Sequence, residues 1–154
     1  MGTEIERKFL LKNDAWRNLA DGVHYRQGYL NSAKERTVRV RIINNKGFLT
    51  VKGSNIGATR LEFEYEIPKN ECDIMLAHLV EKPVIEKIRY KIDYKGFTWE
   101  IDEFFKENRG LIVAEIELES EDQKFEIPGW IGKEVTNDPR YFNSNLINNP
   151  YTNW

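Results

Sequence analysis

The sequence predicts an α+β domain dominated by antiparallel β-structure, with short helices packed outside a sheet or barrel. Three observations point there. Apolar and polar residues alternate with period two over segment after segment. Two of these segments are joined to their successors by hairpin-type turns. Helical spacing appears only in short stretches.

The elements follow in chain order. Residues 3–9 alternate as a strand, with Glu4, Glu6 and Lys8 on one face and Ile5 and Phe9 on the other. Asn13 or Asp14 is placed to cap a short helix containing Trp16 and Leu19. Residues 24–30 read as a short strand. Val38–Ile42 and Phe48–Lys52 flank Asn44-Asn45-Lys46-Gly47 and read as a hairpin. Residues 61–67 alternate again. Asn70 is placed to cap a helix carrying Ile74, Met75, Leu76, Leu79 and Val80, ended before Pro83. Ile88–Ile92 and Phe97–Ile101 flank Asp93-Tyr94-Lys95-Gly96 as a second hairpin, and residues 112–119 form a late strand. The two hairpins share Lys-Gly-Phe, but their register diverges beyond it, so no repeat is argued. A last helix runs through Tyr141, Phe142, Leu146 and Ile147, stopped by Pro150.

The 154 residues suit one domain, 1–154, large enough to bury a core without disulfides or a structural metal. Lys and Arg total 23 and Asp and Glu 25, a net charge of −2, which disfavours a net-basic nucleic-acid binder. The single cysteine, Cys72, excludes an internal disulfide and a Cys-based zinc site, and fits a reducing, cytoplasmic setting. No signal peptide and no run of roughly 20 apolar residues is visible, so no membrane partner is expected. There is no P-loop and no HExxH motif. His24 and His78 read as structural or surface residues, Cys72 as a small core residue, and Trp16, Trp99, Trp130 and Trp154 as packing residues.

The charges are not scattered. Arg39 and Arg41 share a face against Val38, Val40 and Ile42. Glu62, Glu64 and Glu66 oppose Leu61, Phe63 and Tyr65. Lys87, Arg89 and Lys91 oppose Ile88, Tyr90 and Ile92. Glu100 and Asp102 oppose Trp99 and Ile101, and Glu115, Glu117 and Glu119 oppose Ala114, Ile116 and Leu118. A wet sheet face carries charge as a matter of course. It does not usually carry like charges two residues apart, about 6–7 Å along a strand, on one strand after another. Such faces make sense when they converge: carboxylates on a divalent cation, cations on phosphate oxygens. A closed barrel with a charged lumen and an apolar outer face, covered by the helices, meets that pattern.

The same residues resemble a known family. Glu4-Ile5-Glu6-Arg7-Lys8 resembles the N-terminal ExExK motif of the CYTH superfamily, the triphosphate tunnel metalloenzymes. Arg39-Val40-Arg41, Lys52, Glu62-Phe63-Glu64, Lys87-Ile88-Arg89, Asp102 and Glu115-Ile116-Glu117 follow in the family's order. Glu134-Val135-Thr136, Asp138, Arg140-Tyr141 and Asn143 are similar to its bacterial members, as is Tyr29. The resemblance implies an eight-stranded antiparallel tunnel that binds a triphosphate with Mg²⁺ or Mn²⁺, one ion or two. Lys8, Arg39, Arg41, Lys52, Lys87 and Arg89 would bind phosphate. Glu4, Glu6, Glu62, Glu64, Asp102, Glu115 and Glu117 would be the metal ligands. Glu6, Lys8 and Lys87 would be catalytic. Glu66, Lys91, Glu100 and Glu119, at strand ends, are assigned to the rim.

The expected reaction is hydrolysis of a terminal phosphoanhydride. The chain is short for the family, leaving little room to recognise a base or a thiamine. Inorganic tripolyphosphate is therefore the expected substrate, with nucleoside triphosphates weaker. A class IV-type adenylate cyclase, a thiamine triphosphatase and a non-catalytic polyphosphate-binding module stay open. A homodimer is compatible with the sequence.

Overall fold

A computed structural model describes residues 2–154. Nine strands run β1 (Thr3–Leu11), β2 (Gly22–Asn31), β3 (Arg36–Ile43), β4 (Lys46–Gly53), β5 (Thr59–Ile67), β6 (Glu81–Tyr94), β7 (Phe97–Phe104), β8 (Ile112–Glu117) and β9 (Ile131–Glu134), with helices α1 (Lys69–His78) and α2 (Asn143–Leu146). All pairings are antiparallel, in the order β5-β4-β3-β2-β6-β7-β8-β1-β9. β1 also pairs with β5, through Thr3↔Leu61, Glu4↔Arg60 and Ile5↔Thr59, so β1 to β8 close on themselves. The eight-stranded barrel expected from the sequence is the architecture found, and β9 is an addition. Beyond Glu6 the partner of β1 changes: β5 parts from it and β9 takes that edge, with Phe9↔Glu134 and Leu11↔Ile131. The C-terminal segment enters the molecule at this gap.

Both hairpins form. Lys95 and Gly96, both at positive φ, make the two-residue turn between Tyr94 and Phe97 that suits the right-handed twist of paired strands. In the first hairpin the turn is Asn44-Asn45, and Gly47 already lies in β4, opposite Ile42 and Ile67. A Cβ on Gly47 would stand 2.9 Å from Cys72 Cβ, so the glycine serves the approach of α1 rather than the turn.

Four expectations are corrected. Residues 12–20 form no helix. Asn13 Oδ1 accepts from the Ala15 N–H, while Arg17 and Leu19 bond back three residues to Asp14 and Trp16. A run of turns suffices to bury Trp16 completely while Leu19 stays exposed. The cap of α1 is Pro68, not Asn70, and the helix shows Ile74 to solvent while burying Cys72 and Leu76. β8 ends at Glu117, where the chain turns so that the Glu119 N–H reaches Gln123 Oε1. The C-terminal helix is only α2, with Tyr141 in a preceding 3₁₀ turn and Pro150 beyond.

The outer face is covered more by loops than by helices. Only α1 lies on strands, packing Cys72, Leu76 and Val80 against Val40 and Ile42. Trp16 and the 118–131 segment, through Leu118, Phe125 and Trp130, cover Phe9, Trp99, Ile101 and Ile116. Leu61, Phe63 and Tyr65 on β5 are exposed. The barrel interior is itself divided. Ile85, Phe104 and Val113 stand two residues from Lys87, Asp102 and Glu115 on the same faces, and they pack with Tyr29, Val135, Tyr141, Leu146 and Ile147. One end of the lumen is thus plugged by apolar side chains and the C-terminal segment, and the rest is charged. No helix among the described residues is long and apolar enough to cross a membrane.

Candidate active site

The charged part of the lumen encloses about 230 Å³. It is lined by Glu4, Glu6, Lys8, Arg39, Arg41, Lys52, Glu62, Glu64, Lys87, Arg89, Glu115 and Glu117, twelve of the thirteen residues singled out in the sequence. The thirteenth, Asp102, lies beneath this surface, fully buried. Its Oδ1 accepts from Arg89 Nε at 2.7 Å, and its Oδ2 from Arg89 Nη2 and Lys87 Nζ, both at 2.8 Å. With both oxygens already bonded to cations, Asp102 anchors Lys87 and Arg89 rather than facing the lumen.

Strand order sorts the charges into two walls. β4, β3, β2 and β6 are consecutive and bring Lys52, Arg39, Arg41, Lys87 and Arg89. β7, β8, β1 and β5 are consecutive and bring Glu100, Glu115, Glu117, Glu4, Glu6, Glu62 and Glu64, with Lys8 and Arg60 as the cations among them. At the seam the walls pair: Lys52 Nζ lies 3.0 Å from Glu4 and 3.3 Å from Glu62, and Arg41 Nη2 lies 3.0 Å from Glu64. Thr50 donates to the same Glu64 at 2.7 Å. Glu64 is held below its ordinary pKa against burial, by Arg41 and Thr50.

Away from the seam each wall has unmet demand. The Nε atoms of Arg39, Arg41 and Arg60 are buried with no acceptor among the described residues. Arg39 and Arg60 form no ion pair there, and Lys8 finds only the Tyr141 carbonyl, at 3.0 Å. A buried donor without an acceptor costs of order 1–3 kcal/mol, and the three arginines that carry these atoms all line this cavity. On the acidic wall, burial first, then the charges of Glu115 and Glu4, push the Glu6 carboxyl well above its ordinary pKa. Burial also opposes ionisation of Glu115, but Lys8, a hydrogen bond donated by Glu6, Arg89 and Lys87 hold it well below. The two carboxyls are thus pushed in opposite directions by their shared surroundings. Burial, with Glu4, Glu62 and Glu100, also raises Glu117.

Carboxylates that raise one another's pKa offer the hard oxygen donors of a divalent cation site. Among the described residues no group of three or more His, Cys, Asp or Glu already forms a metal cage. Mg²⁺ does not need one: it keeps several waters and takes one or two carboxylates plus substrate phosphates.

Several lining residues were missed in the sequence. Arg60 stands two residues before Glu62 on the same face, so the alternation carries it one step further back. Thr37 and Thr50 sit two residues from Arg39 and Lys52 in the same way. Glu100, assigned to the rim, faces the lumen and lies 3.3 Å from Arg89. Tyr29 and Asn143, noted in the sequence only for their likeness to bacterial members, line it too, Asn143 arriving with the C-terminal segment. No local signal marks Asn143 as a lumen residue, because only the tertiary fold brings it there.

Residues 2–151 match the CYTH domain family. An inorganic triphosphatase of Acetivibrio thermocellus is 59% identical over 154 residues, covering 100% of this chain and 99% of that protein. One of Nitrosomonas europaea is 37% identical over 152 residues, covering 94% of this chain and 96% of that protein. The solved structure of an inorganic triphosphatase is similar at a TM-score of 0.69 and 34% identity, covering 96% of this chain and 95% of that one.

Proposed function

The chain belongs to the CYTH domain family, and from that premise we propose that it is a metal-dependent inorganic triphosphatase, with residues 1–154 forming one such domain. The observation that carries the reading is that seven Lys and Arg side chains line the same lumen as a crowded carboxylate wall. The cavity, about 230 Å³, is smaller than the roughly 300–1,000 Å³ of drug-sized ligand pockets, which favours a bare phosphate chain over a nucleotide. Lys8, Arg39, Arg41, Lys52, Lys87 and Arg89 bind the chain's oxygens, the arginines through paired N–H groups and the lysines as point charges. Glu4, Glu6, Glu62, Glu115 and Glu117 would hold Mg²⁺ or Mn²⁺, which when bound neutralises phosphate oxygens and helps activate water. Glu64, committed to Arg41 and Thr50, supports the basic wall.

Water attacks the terminal phosphorus, the P–O–P bond breaks, and orthophosphate and pyrophosphate are released. The proton leaving water is taken by an ionised carboxylate of the acidic wall or by the released phosphate. Lys8 and Lys87 neutralise the charge that builds on the oxygens. Positioning and electrostatics supply most of the acceleration such a reaction needs. Cys72, buried and free, is in keeping with a reducing, cytoplasmic compartment. The test is product analysis with tripolyphosphate, ATP and thiamine triphosphate in Mg²⁺ or Mn²⁺. Orthophosphate released fastest from tripolyphosphate is expected. Preference for an organic triphosphate, or cyclic AMP from ATP, would overturn the reading.

A further inference from the structure

The C-terminal motif that resembles bacterial relatives has so far been given no chemistry, yet it reaches the lumen. Val135 donates its N–H to the Lys8 carbonyl at 2.8 Å, and Thr136 Oγ1 accepts from the Lys8 N–H at 3.0 Å. Beyond it the chain is held on both sides of Asn143. Tyr141 is buried before it, and Leu146 and Ile147 after it, all within the apolar plug. Asn143 therefore stands where the plug meets the charged lumen, on a segment that is fixed rather than loose.

Its amide has one workable orientation. Asn143 Oδ1 accepts from Gln27 Nε2 at 3.0 Å and from Lys87 Nζ at 3.3 Å. Turning the amide over would set an NH₂ against an ammonium, so Lys87 fixes the oxygen on its own side. Gln27 is fully buried, and its Oε1 has no donor among the described residues. A buried amide left half unsatisfied stands there for the one bond it makes. Asn143 Nδ2 has no protein acceptor among the described residues, while the residue lines the lumen. Lys87, in turn, gives one N–H to Asp102 and one to Asn143, and as an ammonium it has a third to give, while the residue itself lines the lumen.

We propose that Asn143 is a positioning residue that aims the third N–H of Lys87 at the substrate, and that its own Nδ2 is a neutral donor to a phosphate oxygen. The C-terminal segment is then part of the active site and not merely its floor. The proposal rests on the triphosphatase reading, and its test separates the two. Asn143→Ala removes both functions. Asn143→Asp is isosteric, keeps an acceptor for Lys87, and replaces the donor with an anion. Asn148→Ala, exposed on the same segment, is the control. Steady-state kinetics are measured with tripolyphosphate, alongside calorimetric binding of tripolyphosphate in EDTA. Asn143→Ala is expected to lose about 10- to 100-fold in kcat/KM, the cost of a misplaced catalytic group. Asn143→Asp is expected to lose mainly in KM and to bind tripolyphosphate at least about tenfold more weakly without metal. Asn148→Ala is expected to match the unmodified chain in both measurements. Alanine and aspartate variants within twofold of the unmodified chain in kcat, KM and metal-free affinity would overturn the proposal. An unmodified chain that binds tripolyphosphate but never cleaves it would overturn the triphosphatase reading instead, and the binding arm would still decide the role of Asn143.

Discussion

Asp102 shows how a residue's partners change its meaning. On the sequence it shares a face with Glu100 and reads as one more metal ligand. In the structure, burial would raise its pKa, but Arg89 and then Lys87 hold it at about 2, against an ordinary 3.8. Between these values the unfolded chain binds a proton that the folded chain does not. The carboxylate's stabilisation is therefore present above pH 3.8 and lost as pH falls through about 2, and it amounts to about 2–3 kcal/mol. Urea unfolding from pH 5 to 2 should show a smaller acid loss in Asp102→Asn than in the unmodified chain. At pH 7 the same variant should be less stable by about 3–5 kcal/mol, because buried Lys87 loses its only carboxylate partner and Arg89 its shortest one. Arg39 is the opposite case, a buried cation with no carboxylate to lose. Arg39→Ala should leave the melting temperature unchanged or raised, while phosphate release falls by about 10²–10³-fold. Arg60→Ala should fold equally well and show mainly a higher KM. Residue types and faces were legible in the sequence because a strand's period of two is rigid. What Asp102 and Asn143 touch was not, since their partners come from strands and segments far away in the chain.

At the scale of elements, the reliable signal was alternation and the misleading one was helical spacing. Trp16 and Leu19 fit a helix on paper, yet a run of i→i+3 turns buries Trp16 and leaves Leu19 exposed. β9 is four residues long and carries no apolar alternation of its own, so it becomes a strand only because β1 loses β5 as a partner beyond Glu6. Gly47 looked like turn punctuation and is a packing requirement. Gly47→Ala should push Cys72 and α1 off the sheet and cost about 1–3 kcal/mol in denaturant unfolding. Leu76→Ala, at the centre of the same contact, should cost about 2–5 kcal/mol. Both changes lie on the outer face, so turnover by the folded fraction should stay near normal. A large loss of kcat in either would mean that α1 governs the lumen.

For the whole molecule, 23 basic and 25 acidic side chains nearly cancel, and the lumen keeps the same balance, lined by seven of each sign. Closing the sheet in the order found sets the basic side chains of β3, β4 and β6 against a mainly acidic wall from β1, β5, β7 and β8, and on the proposed function a polyanion and a cation would stand between them. Binding to the folded chain alone should stabilise it by mass action. Tripolyphosphate at 100 times its Kd should add about 2.7 kcal/mol, read as a rise in melting temperature that shrinks with added salt. The most direct test of the two-wall account is a crystal structure with tripolyphosphate and Mn²⁺, the metal located by its anomalous scattering. The account predicts manganese against the carboxylates of β1 and β8, with phosphate oxygens on Arg39, Arg41, Lys87 and Arg89 and within reach of Asn143 Nδ2. Manganese on the outer surface, or a phosphate chain bound outside the lumen, would contradict it.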